Sequence, residues 1–248
     1  GLDYNVEFVT RLSMTLAVPC LIFVSLMKTT INIDNLINLS LATVTIYGII
    51  TILSFVIVKF FKLKIRTYLA PLIFGNTGNI GLPLAFFAFG SEGLDYAVLI
   101  FALMGIYAFT FGIWVISGGG AIKKILKEPL VAGTIMGAFF LWQGWETPDF
   151  LTSTLELIGQ MAIPLMLITL GVAIARLKPN NLLRAAEYAL IKFVVCLLVS
   201  VSGAYLFNLS HIAFSILVLQ VTTPVAVTSY LLANKYNADA EAVASLVI

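Results

Sequence analysis

The chemically distinctive residues of this chain are neutral polar groups that interrupt two apolar segments. Residues 75–83 read Gly-Asn-Thr-Gly-Asn-Ile-Gly-Leu-Pro, and residues 220–224 read Gln-Val-Thr-Thr-Pro. Glycine, asparagine and proline are poor helix formers, and proline also lacks an N–H and collides with the carbonyl four residues earlier. Each stretch therefore predicts a broken helix, and we expect Pro83 to lie near the first turn of the second half of its helix.

Two half-helices that begin inside a membrane expose unpaired N–H groups and the positive ends of their dipoles. Such ends attract carboxylates and phosphates. Irregular backbone survives at membrane depth only where protein buries it or where it lines a water-filled cavity. The two breaks therefore predict a binding site for a small solute with an anionic group. The residues expected to form this site are Asn76, Thr77, Asn79, Pro83, Gln220, Thr222, Thr223 and Pro224.

The elements that must position these residues are transmembrane helices. The chain has 248 residues, of which 60% are hydrophobic and only 10% charged, whereas soluble domains carry about 25% charged residues. A bilayer requires roughly 20 apolar residues per helix, and the alternating polarity of a membrane β-barrel is not found. We predict an all-α polytopic membrane protein with spans at 7–27, 39–61, 67–90, 94–117, 129–145, 150–176, 184–207 and 211–234.

The basic residues predict the orientation of these spans. Connectors near 59–66, 123–127, 176–184 and 235 are basic and fall on one side, whereas the connectors at 92–95 and 146–149 are acidic and fall on the other. Cytoplasmic connectors of membrane proteins are enriched in lysine and arginine. We therefore expect the basic connectors to be cytoplasmic and the protein to lie in the plasma membrane, which in a bacterium is the inner membrane.

The two halves of the chain resemble each other at a spacing of about 145 residues. Ala-Val-Pro at 17–19 recurs as Ala-Ile-Pro at 162–164, Asp-Asn-Leu at 34–36 recurs as Asn-Asn-Leu at 180–182, and Pro83 corresponds to Pro224. Because the equivalent spans run in opposite directions, we predict an inverted repeat, a construction found in many secondary transporters. The predicted repeats are 1–117 and 129–248, joined by a cytoplasmic linker at 118–128. Breaks at equivalent positions favour a binding site over two unrelated proline kinks with capping side chains.

The motif Asn-Thr-Gly-Asn-Ile-Gly-Leu-Pro at 76–83, together with Ala-Val-Pro-Cys-Leu-Ile-Phe at 17–23, resembles the auxin efflux carrier family, which includes plant auxin exporters and bacterial homologues. The resemblance implies ten helices in two inverted repeats of five, with the broken helices crossing at their prolines. The first helix would then precede Gly1, and the tenth would continue past Ile248. It also implies that Asn76, Asn79, Pro83, Thr223 and Pro224 line the substrate site, although residues 222–223 match the family pattern loosely. The sodium-coupled bile-acid symporters share a related fold.

The predicted function is an efflux carrier for a small organic anion such as a carboxylate, which works by alternating access. A sodium-coupled symporter of the bile-acid type and an anion channel are the alternatives. We expect no enzymatic activity, no cofactor, no metal site and no nucleic-acid partner; the expected partners are the substrate and the bilayer, and a homodimer is compatible with the sequence. No carboxylate adjoins either break, so proton-coupled, sodium-coupled and uncoupled transport all remain open. Lys192 and Glu156 are candidates for coupling or gating, because charges inside a membrane are costly.

Overall fold

The computed structural model describes residues 4–119, 128–177 and 182–247, which form helices and no strand. The predicted all-α architecture is confirmed. Most of the predicted linker at 118–128, and the asparagines at 180–181, lie outside the described residues. In chain order the helices are α1 Val6–Lys28, α2 Ile33–Phe60, α3 Ile65–Ile73, α4 Thr77–Ser117, α5 Pro129–Gln143, α6 Asp149–Gln160, α7 Ala162–Arg176, α8 Leu182–Leu206, α9 His211–Val221, α10 Val227–Lys235 and α11 Ala240–Val247. The helix α4 is kinked at Gly90, whose φ of 64° is not helical, so its two parts correspond to the end of the predicted span 67–90 and to the predicted span 94–117.

The helices have the length and polarity of membrane spans. Within the described residues, α1, α2, α4, the α6–α7 pair and α8 are long and apolar enough to cross a bilayer, and α5 and α9 are shorter apolar helices. Large apolar side chains also cover the outside of the helices, as Ile52, Phe87 and Leu198 are 66%, 68% and 62% exposed. An outer surface of this kind suits lipid better than water. The predicted spans 67–90 and 211–234 each consist of two helices separated by a break.

One group of helices, which we call the panel, consists of α1, α5, α6 and α7. Glycines allow α1 to approach its neighbours closely: a Cβ added to Gly133 would lie 2.7 Å from the carbonyl oxygen of Pro19, and one added to Gly159 would lie 3.1 Å from the amide nitrogen of Leu21. Small residues play this part in membrane proteins, where van der Waals packing drives helix association. The hydroxyl of Tyr4, just before α1, is 2.8 Å from Thr169 Oγ1 on α7.

The remaining helices, α2–α4 and α8–α11, form a second group that we call the core. Here α2 packs against α3, α4 and α8, and α9 packs against α4 and α8. The guanidinium of Arg66 on α3 donates from Nε to the carbonyl oxygen of Ile116 (2.9 Å) and from Nη2 to that of Tyr236 (3.0 Å). It therefore ties α3 to the far end of α4 and to the end of α10. The two interrupted spans, α3–α4 and α9–α10, are neighbours within this core.

Proline shapes two of the helices by widening them rather than by ending them. A π turn at Ser13–Ala17 precedes Pro19, and another at Thr77–Gly81 precedes Pro83. Proline supplies no N–H and crowds the carbonyl four residues back, and a wider turn accommodates both effects. The helix after the first break thus begins at Thr77, and Pro83 lies inside it. Pro83 lies in the first turn of the regular α-helix that starts at Leu82, where it was expected, and the π turn separates it from the break.

Candidate functional site

The two broken spans cross each other through their unwound segments. The N–H of Asn76 donates to the carbonyl oxygen of Pro224 at 2.7 Å, and Gly75 pairs with Val225 as an isolated antiparallel bridge. Backbone groups exposed to lipid without a partner cost several kcal/mol each. In this crossing, which we call the crossover, each break supplies hydrogen-bond partners for the other. The two broken helices cross as predicted, at Pro224 in the second span, but in the first span the crossing lies at Gly75 and Asn76 and not at Pro83.

Local sequence explains where each break falls. Asn76 begins the new helix at the first break, because its side-chain oxygen accepts a hydrogen bond from the N–H of Asn79 (3.3 Å), as an N-cap residue does. At the second break, α9 ends at Val221. Pro224 disfavours a helical backbone conformation at the residue before it, Thr223. The chain resumes helical geometry only at Val227. Both second half-helices therefore begin close to the crossover.

The glycines of the 75–83 motif are required by close packing. A Cβ on Gly75 would lie 2.2 Å from Thr223 Oγ1, and one on Gly81 would lie 2.1 Å from Gln220 Oε1. A larger residue at Gly81 would require the end of the Gln220 side chain to move, whereas one at Gly75 would also meet the backbone carbonyl oxygen of Thr223 at 3.0 Å. The glycine pattern that marked this segment in the sequence is thus explained by contact between the two broken spans.

One side of the crossover is buried and holds most of the predicted polar residues. Thr77 and Gln220 are 0% exposed, and Asn76 and Thr223 are each 4% exposed. Within the described residues, both polar atoms of the Gln220 amide, Asn76 Nδ2 and Thr77 Oγ1 have no hydrogen-bond partner. Buried polar groups normally pair with protein atoms or ordered water, so these groups are the ones at the crossover that can bind a water molecule or a ligand. This face is called the buried face of the crossover.

The other side of the crossover borders a small cleft between the panel and the core. The cleft has a volume of about 10 Å³. Asn79 is the predicted site residue that reaches it, and the other residues there come from α1, α7 and α10. In full, the cleft is lined by Thr10, Ser13, Met14, Asn79, Met166, Thr169 and Thr228. Its polar groups are four hydroxyls and one amide, and it contains no charged side chain.

The other predicted residues lie outside this cleft. Pro83 is buried, Pro224 is exposed, and Thr222 is half-buried with its hydroxyl donating to the carbonyl oxygen of Val218 at 2.7 Å. The hydroxyl of Thr223 likewise donates to the carbonyl oxygen of Gln220 at 2.7 Å. Both threonines therefore satisfy carbonyls at the end of α9, and neither hydroxyl hydrogen is directed at the cleft.

Sequence reasoning missed the cleft hydroxyls of Thr10, Ser13, Thr169 and Thr228. The chain has many serines and threonines in apolar helices, and most of them donate to a carbonyl one turn earlier, as Ser13 does to Val9. Nothing in their spacing separates these four from the rest. Only the packing of α1 and α7 against the crossover brings them together.

The two charged candidates differ in their positions. Lys192 on α8 is 4% exposed, and its Nζ donates to the carbonyl oxygen of Thr223 at 3.1 Å. Glu156 on α6 pairs with Lys28 at 2.6 Å, and these two side chains are 37% and 45% exposed. The structure thus brings Lys192 to the crossover and places Glu156 in an exposed ion pair of the panel. Within the described residues, no group of three or more His, Cys, Asp or Glu side chains could hold a metal ion.

Comparisons with known proteins identify relatives among membrane transporters. The model of a family described as membrane transport protein matches residues 4–125 and 118–248. The chain is 26% identical over 267 residues to an uncharacterized transporter of Methanocaldococcus jannaschii, an alignment that covers 98% of this chain and 84% of that protein. It is also 26% identical over 184 residues to an uncharacterized transporter of Methanothermobacter thermautotrophicus, covering 69% of this chain and 59% of the relative.

Proposed function

The chain belongs to the membrane transport protein family, and from this premise we propose that it is a secondary efflux carrier for a small organic anion such as a carboxylate. It works by alternating access, with the substrate bound beside the crossover. The observation that carries the proposal is the pairing of the two breaks, in which Asn76 N–H bonds to Pro224 and Gly75 pairs with Val225.

The electrostatics of the crossover support an anionic substrate. The helices that begin at Thr77 and at Val227 start beside the crossover, so their first N–H groups and the positive ends of their dipoles converge there. Helix N-termini of this kind bind carboxylates and phosphates. The amide of Asn79 and the hydroxyl of Thr228, both at the cleft, add side-chain donors next to these two ends.

The position of the cleft supports alternating access. One wall consists of panel residues, among them Thr10 and Thr169, and the other consists of core residues, Asn79 and Thr228. A cavity of about 10 Å³ holds about one water molecule. A carboxylate needs more room, so the panel and the core must separate on one side to admit it. A site between two helix groups can open to either side of the membrane when one group moves past the other.

The proposal extends to topology and assembly. Residues 1–117 and 129–248 form the two inverted repeats. The linker at 118–128 and the other basic connectors face the cytoplasm, and the protein lies in the plasma membrane. Assembly of two copies of the chain into a homodimer is compatible with this topology. The basic connectors of the described residues near 59–66 and 235 support this orientation. Single cysteines at Lys62 and at Glu146, labelled from one side by an impermeant maleimide, test it: labelling of both from the same side would contradict the topology.

The experiment that tests the function is a thermal-shift screen of small carboxylates, beginning with malate, on the purified protein. A ligand present at about 100 times its Kd stabilises the folded state by about 2.7 kcal/mol, which raises the unfolding midpoint of a chain of this size by roughly 5–10 °C. The variants Asn79→Ala and Thr228→Val should weaken the shift. The matched control is Thr154→Val, because the Thr154 hydroxyl is exposed and bonds only within its own helix, to Phe150.

Flux of the same carboxylate in proteoliposomes then separates binding from transport. We expect the Asn79→Ala and Thr228→Val variants to transport at least tenfold more slowly than wild type, and Thr154→Val to match wild type. A carboxylate that stabilises and crosses the membrane equally well in all four proteins would refute the assignment of the cleft. Stabilisation by uncharged or cationic solutes alone would refute the anionic substrate.

A further inference from the structure

Lys192 is a basic residue inside a transmembrane helix, and the proposed transport mechanism gives it no role. It lies ten residues into α8, which corresponds to a depth of about 15 Å along the helix. Its side chain is 4% exposed, and Nζ donates to the carbonyl oxygen of Thr223 at 3.1 Å. A lysine at the centre of a transmembrane helix costs at least about 2.5–3.5 kcal/mol.

The surroundings of Lys192 contain no compensating negative side chain. Among the described residues, no carboxylate forms an ion pair with it. Cys196, one turn further along α8, is buried. The partner of the amine is therefore the main chain of the unwound segment, where α9 has just ended. The C-terminal end of a helix carries a negative partial charge and stabilises a cation.

Carriers built from discontinuous helices commonly divide the charges between the two kinds of helix end. The N-terminal ends face the anionic group of the substrate, and the unwound carbonyls at the C-terminal ends coordinate a sodium ion or a proton. In this chain the carbonyl of Thr223 lies at the C-terminal end of α9, and it accepts a hydrogen bond from the amine of Lys192. The group that contacts this carbonyl, the amine of Lys192, is covalently part of the protein.

We infer that the amine of Lys192 replaces a bound coupling cation at the crossover, so that this carrier requires no sodium. The inference rests on the proposed function in treating the crossover as the transport site. It distinguishes this chain from the sodium-coupled alternative that the sequence left open. A tethered amine holds the 222–226 segment in place without recruiting an ion from solution.

The first test compares the thermal unfolding midpoint of the purified wild-type protein in sodium chloride and in choline chloride at equal concentration. We expect the two midpoints to agree within about 1 °C. A sodium site half-saturated near 10 mM would raise the midpoint by about 3 °C or more at roughly 150 mM sodium. A rise of that size would overturn the inference. Because no substrate is added, the result does not depend on whether the proposed function is correct.

The second test measures how firmly Lys192 holds the unwound segment. In a protein with Cys20→Ala and Cys196→Ala, a cysteine placed at half-buried Thr222 reports opening of the segment through its rate of reaction with a maleimide. Removal of the amine leaves the carbonyl of buried Thr223 without this hydrogen bond, which should raise the population of the open segment about tenfold or more. We therefore expect Lys192→Met to increase the reaction rate at least tenfold and Lys192→Arg to leave it within about threefold.

The control is Lys59→Met, which removes the same charge from an exposed position on α2. It should leave the reaction rate of the Thr222→Cys protein unchanged. An unchanged rate in Lys192→Met, or an equal acceleration in Lys59→Met, would overturn the inference. If Lys192→Met does not fold, the wild-type sodium measurement and the Lys192→Arg variant still decide it.

Discussion

The contact between Gly75 and Thr223 provides a direct test of the crossover. In the Gly75→Ala variant the new Cβ would lie 2.2 Å from Thr223 Oγ1 and 3.0 Å from the carbonyl oxygen of the same residue. Ordinary contact begins near 3.4 Å, so the hydroxyl oxygen would have to move by roughly 1.2 Å. It is held in place by its hydrogen bond to the Gln220 carbonyl and by burial, and movement would also strain the bond from Asn76 N–H to Pro224.

The expected magnitude follows from the cost of overpacking. Added methyl groups in a well-packed interior cost about 1–3 kcal/mol, and Gly75 lies outside a helix, so alanine gains no helix propensity there. For a chain of this size the unfolding midpoint should fall by roughly 3–10 °C. Gly48→Ala on α2 is the matched control, because no atom lies within 4 Å of its added Cβ. Alanine is favoured over glycine inside a helix by up to about 1 kcal/mol, so this midpoint should stay constant or rise slightly.

The assay is thermal unfolding of the purified protein in detergent, followed by the fluorescence of a thiol-reactive dye that labels buried Cys196 on unfolding, with gel filtration to confirm folding. All variants carry Cys20→Ala, because Cys20 is only partly buried. Gly75→Ala should also lower carboxylate flux, because the displaced segment carries Asn76 and thereby the start of α4. Equal midpoints for Gly75→Ala and Gly48→Ala would refute the close approach of the two breaks.

Two further predictions concern the panel. Gly133→Ala should lower the unfolding midpoint by several degrees, because the added Cβ would lie 2.7 Å from the backbone carbonyl of Pro19, and overpacking costs about 1–3 kcal/mol. Gly171→Ala, which meets no atom within 4 Å, is its control, and similar midpoints for both would mean that α1 and α5 are not in close contact. Glu156→Gln should lower the midpoint by less than about 3 °C and leave carboxylate flux unchanged, because exposed ion pairs contribute at most about 1 kcal/mol. A collapse of flux in this variant would instead assign Glu156 a coupling role.

The sequence by itself determined the architecture of this protein. Its scarcity of charge and its long apolar runs predicted an all-α membrane protein, since only helices or closed barrels satisfy the backbone in lipid. The two polar interruptions predicted broken helices, because glycine, asparagine and proline oppose helix formation whatever their neighbours are. The broken spans were therefore predictable from local chemistry alone.

The exact course of the first break depended on more than the proline. Pro83 lies in the first turn of the α-helix that starts at Leu82, as expected, but a π turn at Thr77–Gly81 lies between the break and this helix. The N-cap hydrogen bond of Asn76 and the packing of Thr223 and Gln220 against the glycines of the first break decide where the chain unwinds. A proline fixes only its own geometry and that of its immediate neighbours, whereas the position of a break is set jointly by caps and packing.

Only the tertiary structure decided which polar residues share the cleft. Thr10, Thr169 and Thr228 come from three helices far apart in the chain, and their hydroxyls resemble those of many other helical threonines. The predicted residues Gln220 and Thr77 belong instead to the buried face. Lys192 stood out in the sequence as a charge inside a span, but its bond to the Thr223 carbonyl joins residues 31 positions apart. Local sequence fixes which helices break, and the packing of the panel and the core on the broken segments fixes which side chains meet there.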